Sequence, residues 1–470
     1  MTQYLDQLAD FLAGCGFDDL PAPVVERARL VIADTVAAIA AGAGEPEVAA
    51  LTERMCGAGA GGAASVIGAG RRAAPATAAF LNGTAGTFLE LDEGNQYCRG
   101  HPGIHAVPAA LAWAEAHRLS GADFLTAVVL GYEVGARIGI ACELRMSMHP
   151  HGTWGAVGAA VAVAKLAGAD AATLARTINV ASSLGLATSR KTMLEGGLVR
   201  NAFAGVSGHM GLLARDLVEA GFDGERDGLA TVFGAVVSDS FAPEEMIDEL
   251  GSRWEIARNY FKRHAACRYT HATLDVLDEI AQARPGGLEA AEIEQIEIAT
   301  YSLAGQLTER EPRNTLAGKF SLPFAAATAI VHGSTGVASF TWEAIRDDAV
   351  KALAAKVVVR EDPKLTAMMP RFRPAEVRIR LSDGSVLEGS TMTNKGDTED
   401  PYSAAELTEK YHELVGRVWD PATAEAIHGD IMAIETLGDV NMLTARMDAA
   451  GPPAARFRAE LGPGVPAAVR

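Results

Sequence analysis

Residues 153–168 carry glycine or alanine on nearly every side of a helical period. A helix of that composition has no polar face to offer water, so it is buried all round, not amphipathic. Its side chains are too small to fill a wide gap, so other helices must approach it closely. The same bias runs through the chain. Alanine and glycine dominate the apolar residues, there are 49 glycines, and aromatics make up only 6%. Small side chains on this scale predict a compact helical body. At 470 residues and 49% hydrophobic, the chain is long enough for two or three domains and can bury a sizeable core, which excludes disorder.

Helical spacing recurs up to about residue 260. In 21–42 the residues Val24, Val25, Ala28, Val31, Ile32, Thr35, Val36 and Ile39 fall on one period after leading prolines, with Gly42 as the stop. Segments 74–88, 107–119, 121–139 and 204–221 read likewise, the last closed by glycine. After about residue 270 the period changes. Ile293, Ile296 and Ile298 among glutamates predict a strand over 293–301. Val377, Ile379 and Leu381 alternate with Arg378 and Arg380, and Asp383-Gly384 turns the chain into a return strand at Val386 and Leu387. Two helices, 322–332 and 342–355, lie between, and helices resume at 404–418 and 421–437. The tail from Gly451, rich in Pro, Gly and Ala, is expected to be partly loose. The predicted fold is mainly α. A large helical domain formed from both chain ends, 1–268 and 393–470, holds an inserted α+β lid domain at 269–392. A cleft between two such domains is a common place for a substrate site.

The formal charge of −18 argues against nucleic acid and against an anionic membrane surface, both of which need clustered Lys and Arg. It leaves room for a small anion, which feels only the charges lining its pocket. The five cysteines, Cys15, Cys56, Cys98, Cys142 and Cys267, form no CxxC pair. That pattern supports neither a zinc ribbon nor an iron–sulfur cluster, and the odd number fits a reducing compartment. No secretory leader is expected, since 1–10 mixes acidic and amide side chains before any apolar core. The apolar stretch 155–164 is too short to span a bilayer before Lys165. The expected location is the cytoplasm.

Four segments hold polar residues that a structural helix does not need. In the first, Glu90, Asp92 and Glu93 precede His101 at loop spacing. A carboxylate and an imidazole can share acid–base work, or the carboxylate can orient the ring; the bland alternative is an acidic helix end with a solvated histidine. The second has His149 and His151 just before the buried Gly/Ala helix. Backbone N–H groups there bind anions, and the dipole lowers the pKa of a nearby histidine, giving a neutral base. Paired histidines also suit zinc, but no third or fourth ligand follows at a metal spacing, and a capping histidine is the structural alternative. In the third, Ser189-Arg190-Lys191 precedes Gly196-Gly197 and Arg200, a set suited to clamping a carboxylate, with solvated surface charge as the alternative. No GKS or GKT follows, so this is not a nucleotide loop. The fourth, 261–271, packs Lys262, Arg263, His264, Cys267, Arg268 and His271 into an acidic chain. A run this basic predicts an anion site, against a solvated linker.

Taken in order, these segments resemble the MmgE/PrpD family, whose members include 2-methylcitrate dehydratase, cis-aconitate decarboxylase and iminodisuccinate epimerase. The resemblance runs nearly end to end. It rests on Ile32-Ala-Asp-Thr-Val36, Leu81-Asn-Gly83, His101-Pro102, Pro108 to Ala112 and His149 through Gly155 to Ala160. It continues through Ala204-Gly205, Gly208, Gly221 to Gly224, Lys319-Phe-Ser321 and Glu399-Asp-Pro401. It implies a helical domain built from both chain ends, a smaller α+β lid and a homodimer. Family active-site positions carry over onto Asp92, His101, His149, Arg200 and Lys262. Three positions depart from the family pattern. Arg200 stands where a lysine is usual, Cys267 where decarboxylases have a catalytic histidine, and Glu-Leu-Asp-Glu where Asp-Phe-Asp-Asp is usual.

The chemistry this implies is proton transfer at a carbon alpha to a carboxylate, without metal or other cofactor, on a small anionic polycarboxylate. His149 or His101 is expected to take the proton, and Lys262, Arg200 and Arg268 to stabilise the enolate-like anion. For dehydration, Asp92 kept protonated, or the other histidine, would protonate the departing hydroxyl. Cys267, His271 and Lys191 complete the expected substrate contacts. The leading expectation is a hydro-lyase of the 2-methylcitrate dehydratase kind. The alternatives are an epimerase, isomerase or decarboxylase of a related acid, or a polycarboxylate-binding protein without catalysis. The cluster of histidines and acids speaks against the last, because binding an anion needs only Arg and Lys.

Overall fold

The structure, a computed structural model, describes residues 2–57 and 61–449. The loose-tail expectation from Gly451 lies outside the described residues. The fold is mainly helical.

The helix Gly155–Leu166 sits at its centre, with every residue from Gly155 to Ala164 buried. Pro102–His117, Gly121–Ala141, Ala171–Ser182 and Phe203–Glu219 pack around it. Glycines bring these backbones together. A Cβ on Gly158 would lie 2.7 Å from the carbonyl oxygen of Gly131, and one on Gly131 would lie 2.6 Å from that of Gly158. The helix Pro75–Phe88 meets Phe203–Glu219 in the same way, where a Cβ on Gly83 would lie 2.9 Å from the Gly205 Cα. Gly121–Ala141 is long and apolar enough to cross a membrane, but 94% of its apolar window is buried inside the protein, the position of a core helix.

The expected strand and hairpin form one four-stranded sheet in the order Val357–Glu361, Ile293–Thr300, Ala375–Leu381, Val386–Thr391. Only the first pair is parallel. Ala375–Leu381 alternates buried and exposed residues along its whole length, and Ile296 faces Ile379 across the ladder. The helices Arg268–Ala283 and Leu322–His332 pack against this sheet and each other. Ala404–Val415 and Pro421–Met432, late in the chain, lie against Ala22–Ala43, early in it.

Several boundaries differ from the sequence reading. The 107–119 helix begins earlier, at Pro102, because proline in a first helical turn has no N–H to lose. The 342–355 stretch is two helices, Trp342–Arg346 and Asp348–Ala354, since the Asp347 side chain accepts from the Ala349 and Val350 amides and starts a second helix. The 421–437 helix stops at Met432, and a short 3-10 turn, Ile434–Thr436, follows. The strand Val357–Glu361 and the helix Arg268–Ala283 were not anticipated.

Because the Gly131–Gly158 contact is backbone on backbone, it has no side chain that could yield. Gly158→Ala is expected to cost on the order of 1–3 kcal/mol, the usual penalty of overpacking, read as a lower thermal midpoint. Gly14→Ala is the control: nothing lies within 4 Å of its Cβ position, so its midpoint should hold or rise slightly. Equal midpoints for the two variants would contradict the close approach.

Candidate active site

The segment after Pro75–Phe88 is irregular and fully buried. Glu90 holds a left-handed backbone (φ 58°), uncommon for a residue with a side chain. Its carboxylate pairs with the Arg200 guanidinium, and its other oxygen lies 3.7 Å from Lys262 Nζ. A short antiparallel bridge between Gly94 and Tyr260 sets the Lys262 segment beside this loop.

Asp92 Oδ2 lies 3.0 Å from His101 Nδ1, and the same nitrogen is 3.3 Å from the Asp92 backbone oxygen. The approach to the carboxylate is oblique, so neither Asp92 side-chain oxygen completes an aligned hydrogen bond. Burial alone would raise the Asp92 pKa. The facing His101, Lys262 and Arg200 outweigh it and hold the group below the ordinary carboxylate range. Asp92 is therefore ionised, which corrects the expectation of a protonated Asp92 as proton donor. An ionised partner keeps the His101 proton on Nδ1 and leaves the Nε2 lone pair as the basic site. His101 caps the helix Pro102–His117 and, at 8% exposed, is the most open of the clustered rings.

His149 and His151 precede the Gly155–Leu166 helix. The His151 ring centroid lies 4.7 Å from that of His101, 5.0 Å from His149 and 5.6 Å from His105. The His151 amide donates to His149 Nδ1 at 3.0 Å. Arg200 Nε also points at this ring, but at 3.5 Å from Nε2, the outer limit of a hydrogen bond. The shorter bond decides the tautomer: Nδ1 accepts, so Nε2 of the neutral ring carries the proton. In that tautomer His149 presents an N–H donor, where the sequence reading had left the base open between His149 and His101. Its pKa lies well below the usual value, first through burial and then through Arg200. The expected helix dipole is not the main cause. His151 is lowered for the same two reasons.

Arg200 is buried in the 3-10 turn Leu198–Ala202, its guanidinium 5.3 Å from the centre of the Phe320 ring. Lys262 is fully buried, and its Nζ has no hydrogen-bond partner within the protein. Burial lowers its pKa against the pull of Glu90 and Asp92. Cys267 lies near the same groups, and burial pushes its thiol up to about 11, so it stays a neutral thiol.

The remaining expected contacts fall elsewhere. Arg268 Nη2 donates to Asp397 at 2.6 Å, and its Nη1 to the Lys395 carbonyl and to His271 Nδ1 at 2.9 Å. His271 Nε2 in turn donates to the Ala266 carbonyl at 3.1 Å. Both ring nitrogens of His271 are thus occupied, and Arg268 is fastened to the 394–397 loop. These internal bonds take up both guanidinium Nη atoms of Arg268 and both ring nitrogens of His271, which had been expected to contact substrate, and leave Arg268 Nε without a partner. Lys191 is exposed on the short helix Lys191–Leu194 and stays outside the buried cluster, contrary to expectation. Its neighbour Arg190 bears on His149, after Arg200.

Glu90, noted from the sequence only as one of three acids before His101, pairs with both cations. Two further contributors were not singled out. His105, with no partner at either ring nitrogen, is held down to about 3 by burial and by His101. Asn201 has a buried, unpartnered Nδ2. The signal for His105 was available, since it lies four residues after His101 and so on the same helix face. Buried polar atoms without partners are rare in folded proteins. Here those of Asp92, Lys262, His105, His151 and Asn201 gather in one region. Among the described residues, no three of His, Cys, Asp or Glu are arranged to hold a metal ion. A cavity of about 530 Å³ adjoins the cluster at Phe320 and is also lined by Leu194, Glu309 and Arg310.

Comparison with known proteins bears on this arrangement. The MmgE/PrpD N-terminal domain matches residues 6–245, and the MmgE/PrpD C-terminal domain matches residues 264–432. Among similar proteins, the cis-aconitate decarboxylase-like protein oryM of Aspergillus oryzae is 28% identical over 454 residues, covering 91% of this chain and 93% of its own. The cis-aconitate decarboxylase of Aspergillus terreus is 24% identical over 466 residues, covering 93% and 94%. Two domain matches in sequence order, taking in most of the chain and all of the clustered residues except Lys262, establish that the protein belongs to the MmgE/PrpD family.

Proposed function

We propose that the protein is a lyase of small tricarboxylates that moves a proton at a carbon alpha to a carboxylate, as a hydro-lyase on a 2-methylcitrate-like acid. The observation that carries this reading is Asp92 set against His101 Nδ1 at 3.0 Å, beside a buried Lys262 whose Nζ makes no hydrogen bond and lies 3.7 Å from Glu90. The alpha proton of a carboxylate is weakly acidic, so its removal needs both a base and a cation for the enolate-like anion. His101 Nε2 is the base, oriented by Asp92. Lys262 and Arg200 stabilise the anion in a site without bulk water. His149, as an Nε2–H donor, serves the departing hydroxyl, the role that an ionised Asp92 cannot fill.

A second reading, decarboxylation of a cis-aconitate-like acid, is favoured by the names of the similar Aspergillus proteins. Against it stands Cys267, a neutral thiol where the family's decarboxylases have histidine. Purified protein incubated with 2-methylcitrate, citrate and cis-aconitate in deuterated water, followed by proton NMR, separates the readings. Water loss turns the methyl doublet of 2-methylcitrate into a singlet on a fully substituted double bond and gives a vinylic signal from citrate. Carbon dioxide loss replaces the single vinylic signal of cis-aconitate by those of a terminal alkene. Unchanged spectra with all three acids would sink both.

In this assay His101→Gln is expected to lower kcat at least about a hundredfold, the size of a general-base contribution, while the acid still binds. His149→Gln keeps an N–H donor and should cost about tenfold or less, the scale of one hydrogen bond. The reverse ranking would return the base to His149. Dialysis against EDTA should leave activity intact; full loss, restored by one metal, would overturn the metal-free assignment.

A further inference from the structure

We propose that Lys410, Asp34 and Glu93 are positioning residues that hold Asp92 and His101 in register, so the late helix Ala404–Val415 is a working part of the active site. The inference rests on the proposed role of Asp92 and His101. The loop carrying Asp92 has no regular secondary structure around it, so its peptide groups must find partners elsewhere. The two that flank Asp92 are held from outside the loop. Lys410 Nζ donates to the Leu91 carbonyl at 2.7 Å and also to Asp34 Oδ1. Asp34 Oδ2 accepts the Glu93 amide at 2.9 Å. The Glu93 side chain then spans to the histidine's segment. Its Oε1 accepts the Gly103 amide, two residues past His101, at 2.8 Å, while Tyr132 and Asn259 donate to its Oε2 at 3.0 and 3.2 Å. Gly103 is glycine for this contact, since a Cβ there would lie 2.5 Å from Glu93 Oε1.

Asp34, Lys410 and Glu93 are all buried. If the Lys410–Asp34 pair served only to seat Ala404–Val415 on Ala22–Ala43, apolar side chains would do so at least as well, because burying two charges costs as much as their attraction returns. Apolar side chains could not hold the Leu91 carbonyl or the Glu93 amide. The pair's spare bonding capacity goes to the two peptide groups on either side of the catalytic carboxylate.

The test uses the full chain with Lys410→Met, Lys410→Arg, Asp34→Asn and Glu93→Gln, each also combined with Asp92→Asn. For whichever acid the NMR assay turns over, Lys410→Met is expected to lower kcat about tenfold to a hundredfold, the cost of a small misplacement of reacting groups, with KM within about twofold. Lys410→Arg, which keeps the charge and N–H donors, should recover part of the loss. In the Asp92→Asn background the same change should cost little more, because the group it aligns is already disabled. Equal losses in both backgrounds, or a lower thermal midpoint with kcat unchanged, would overturn the proposal. Where Lys410→Met does not fold, the near-isosteric Glu93→Gln carries the same expectations. In parallel, the ring nitrogens of His101, assigned in histidine-labelled protein by loss of signal in His101→Gln, should shift in Lys410→Met and Glu93→Gln. Unchanged His101 signals would also overturn it. This measurement needs no turnover, so a protein inactive on every acid sinks the proposed function while the ring signals still decide the positioning role.

Discussion

Two helix backbones touch at Gly131 and Gly158, and two more at Gly83 and Gly205. Helices this close leave no interior volume for large side chains between them. The polar chemistry is therefore displaced to the segments where the helices end. The Glu90–Asp92 loop follows Pro75–Phe88, His101 caps Pro102–His117, and His149 and His151 lead into Gly155–Leu166. Arg200 and Asn201 lead into Phe203–Glu219, and Cys267 caps Arg268–Ala283. Four of these segments run into helix N-termini, whose free amides and dipoles favour negative charge. Close packing in the middle thus leaves the polar chemistry to the helix ends.

Burial then sorts the titratable groups into two kinds. Glu90 and Asp92 bring two negative charges, and Arg200 and Lys262 bring two positive ones, all within a few per cent of full burial. Charges this deep persist only when paired. Asp92 stays ionised because three positive or chargeable neighbours face it, while His105, His149 and His151 stay neutral because burial and Arg200 both disfavour a further proton. Groups whose environments push their proton affinities apart can divide acid and base roles at one pH. The Arg200–Glu90 pair has a further consequence. The guanidinium already holds a carboxylate, so a substrate carboxylate must share or displace Glu90, whereas Lys262 Nζ offers its bonding capacity undivided.

Much of the helical plan was legible because it is written in local periodicity. Leu322–His332 and the Val377–Leu387 hairpin follow from spacing and a turn dipeptide alone. Asp92, His101, His149, Arg200 and Lys262 stood out because helix interiors do not need them, and the structure brings all five together. What the sequence concealed depends on partners distant along the chain or on a single backbone bond. The His149 tautomer is set by the His151 amide. Arg268 is tied to the 394–397 loop, and His271 to Arg268 and the Ala266 carbonyl, ties that nothing in the 261–271 run announces. Lys191 and Arg190 are adjacent in sequence, yet only Arg190 bears electrostatically on His149. The strand Val357–Glu361 was missed because five residues beside a helix, paired in parallel at a sheet edge, give a period too short to read.

The acidic loop itself makes the limit of local reading plain. Its Leu91 carbonyl is held by Lys410, its Glu93 side chain by Gly103, Tyr132 and Asn259, and the Phe88 carbonyl at its start by Lys319 Nζ at 3.1 Å. Two of these ties span more than two hundred residues of sequence. A loop held this way has its geometry set by the assembled body and not by its own residues. That explains why a sequence pattern can nominate Asp92 and His101 as partners but cannot say how they meet. It also explains why both ends of the chain matter to one carboxylate: the early helix supplies Asp34, the late helix supplies Lys410, and the Asp92 segment lies between them with few backbone bonds of its own.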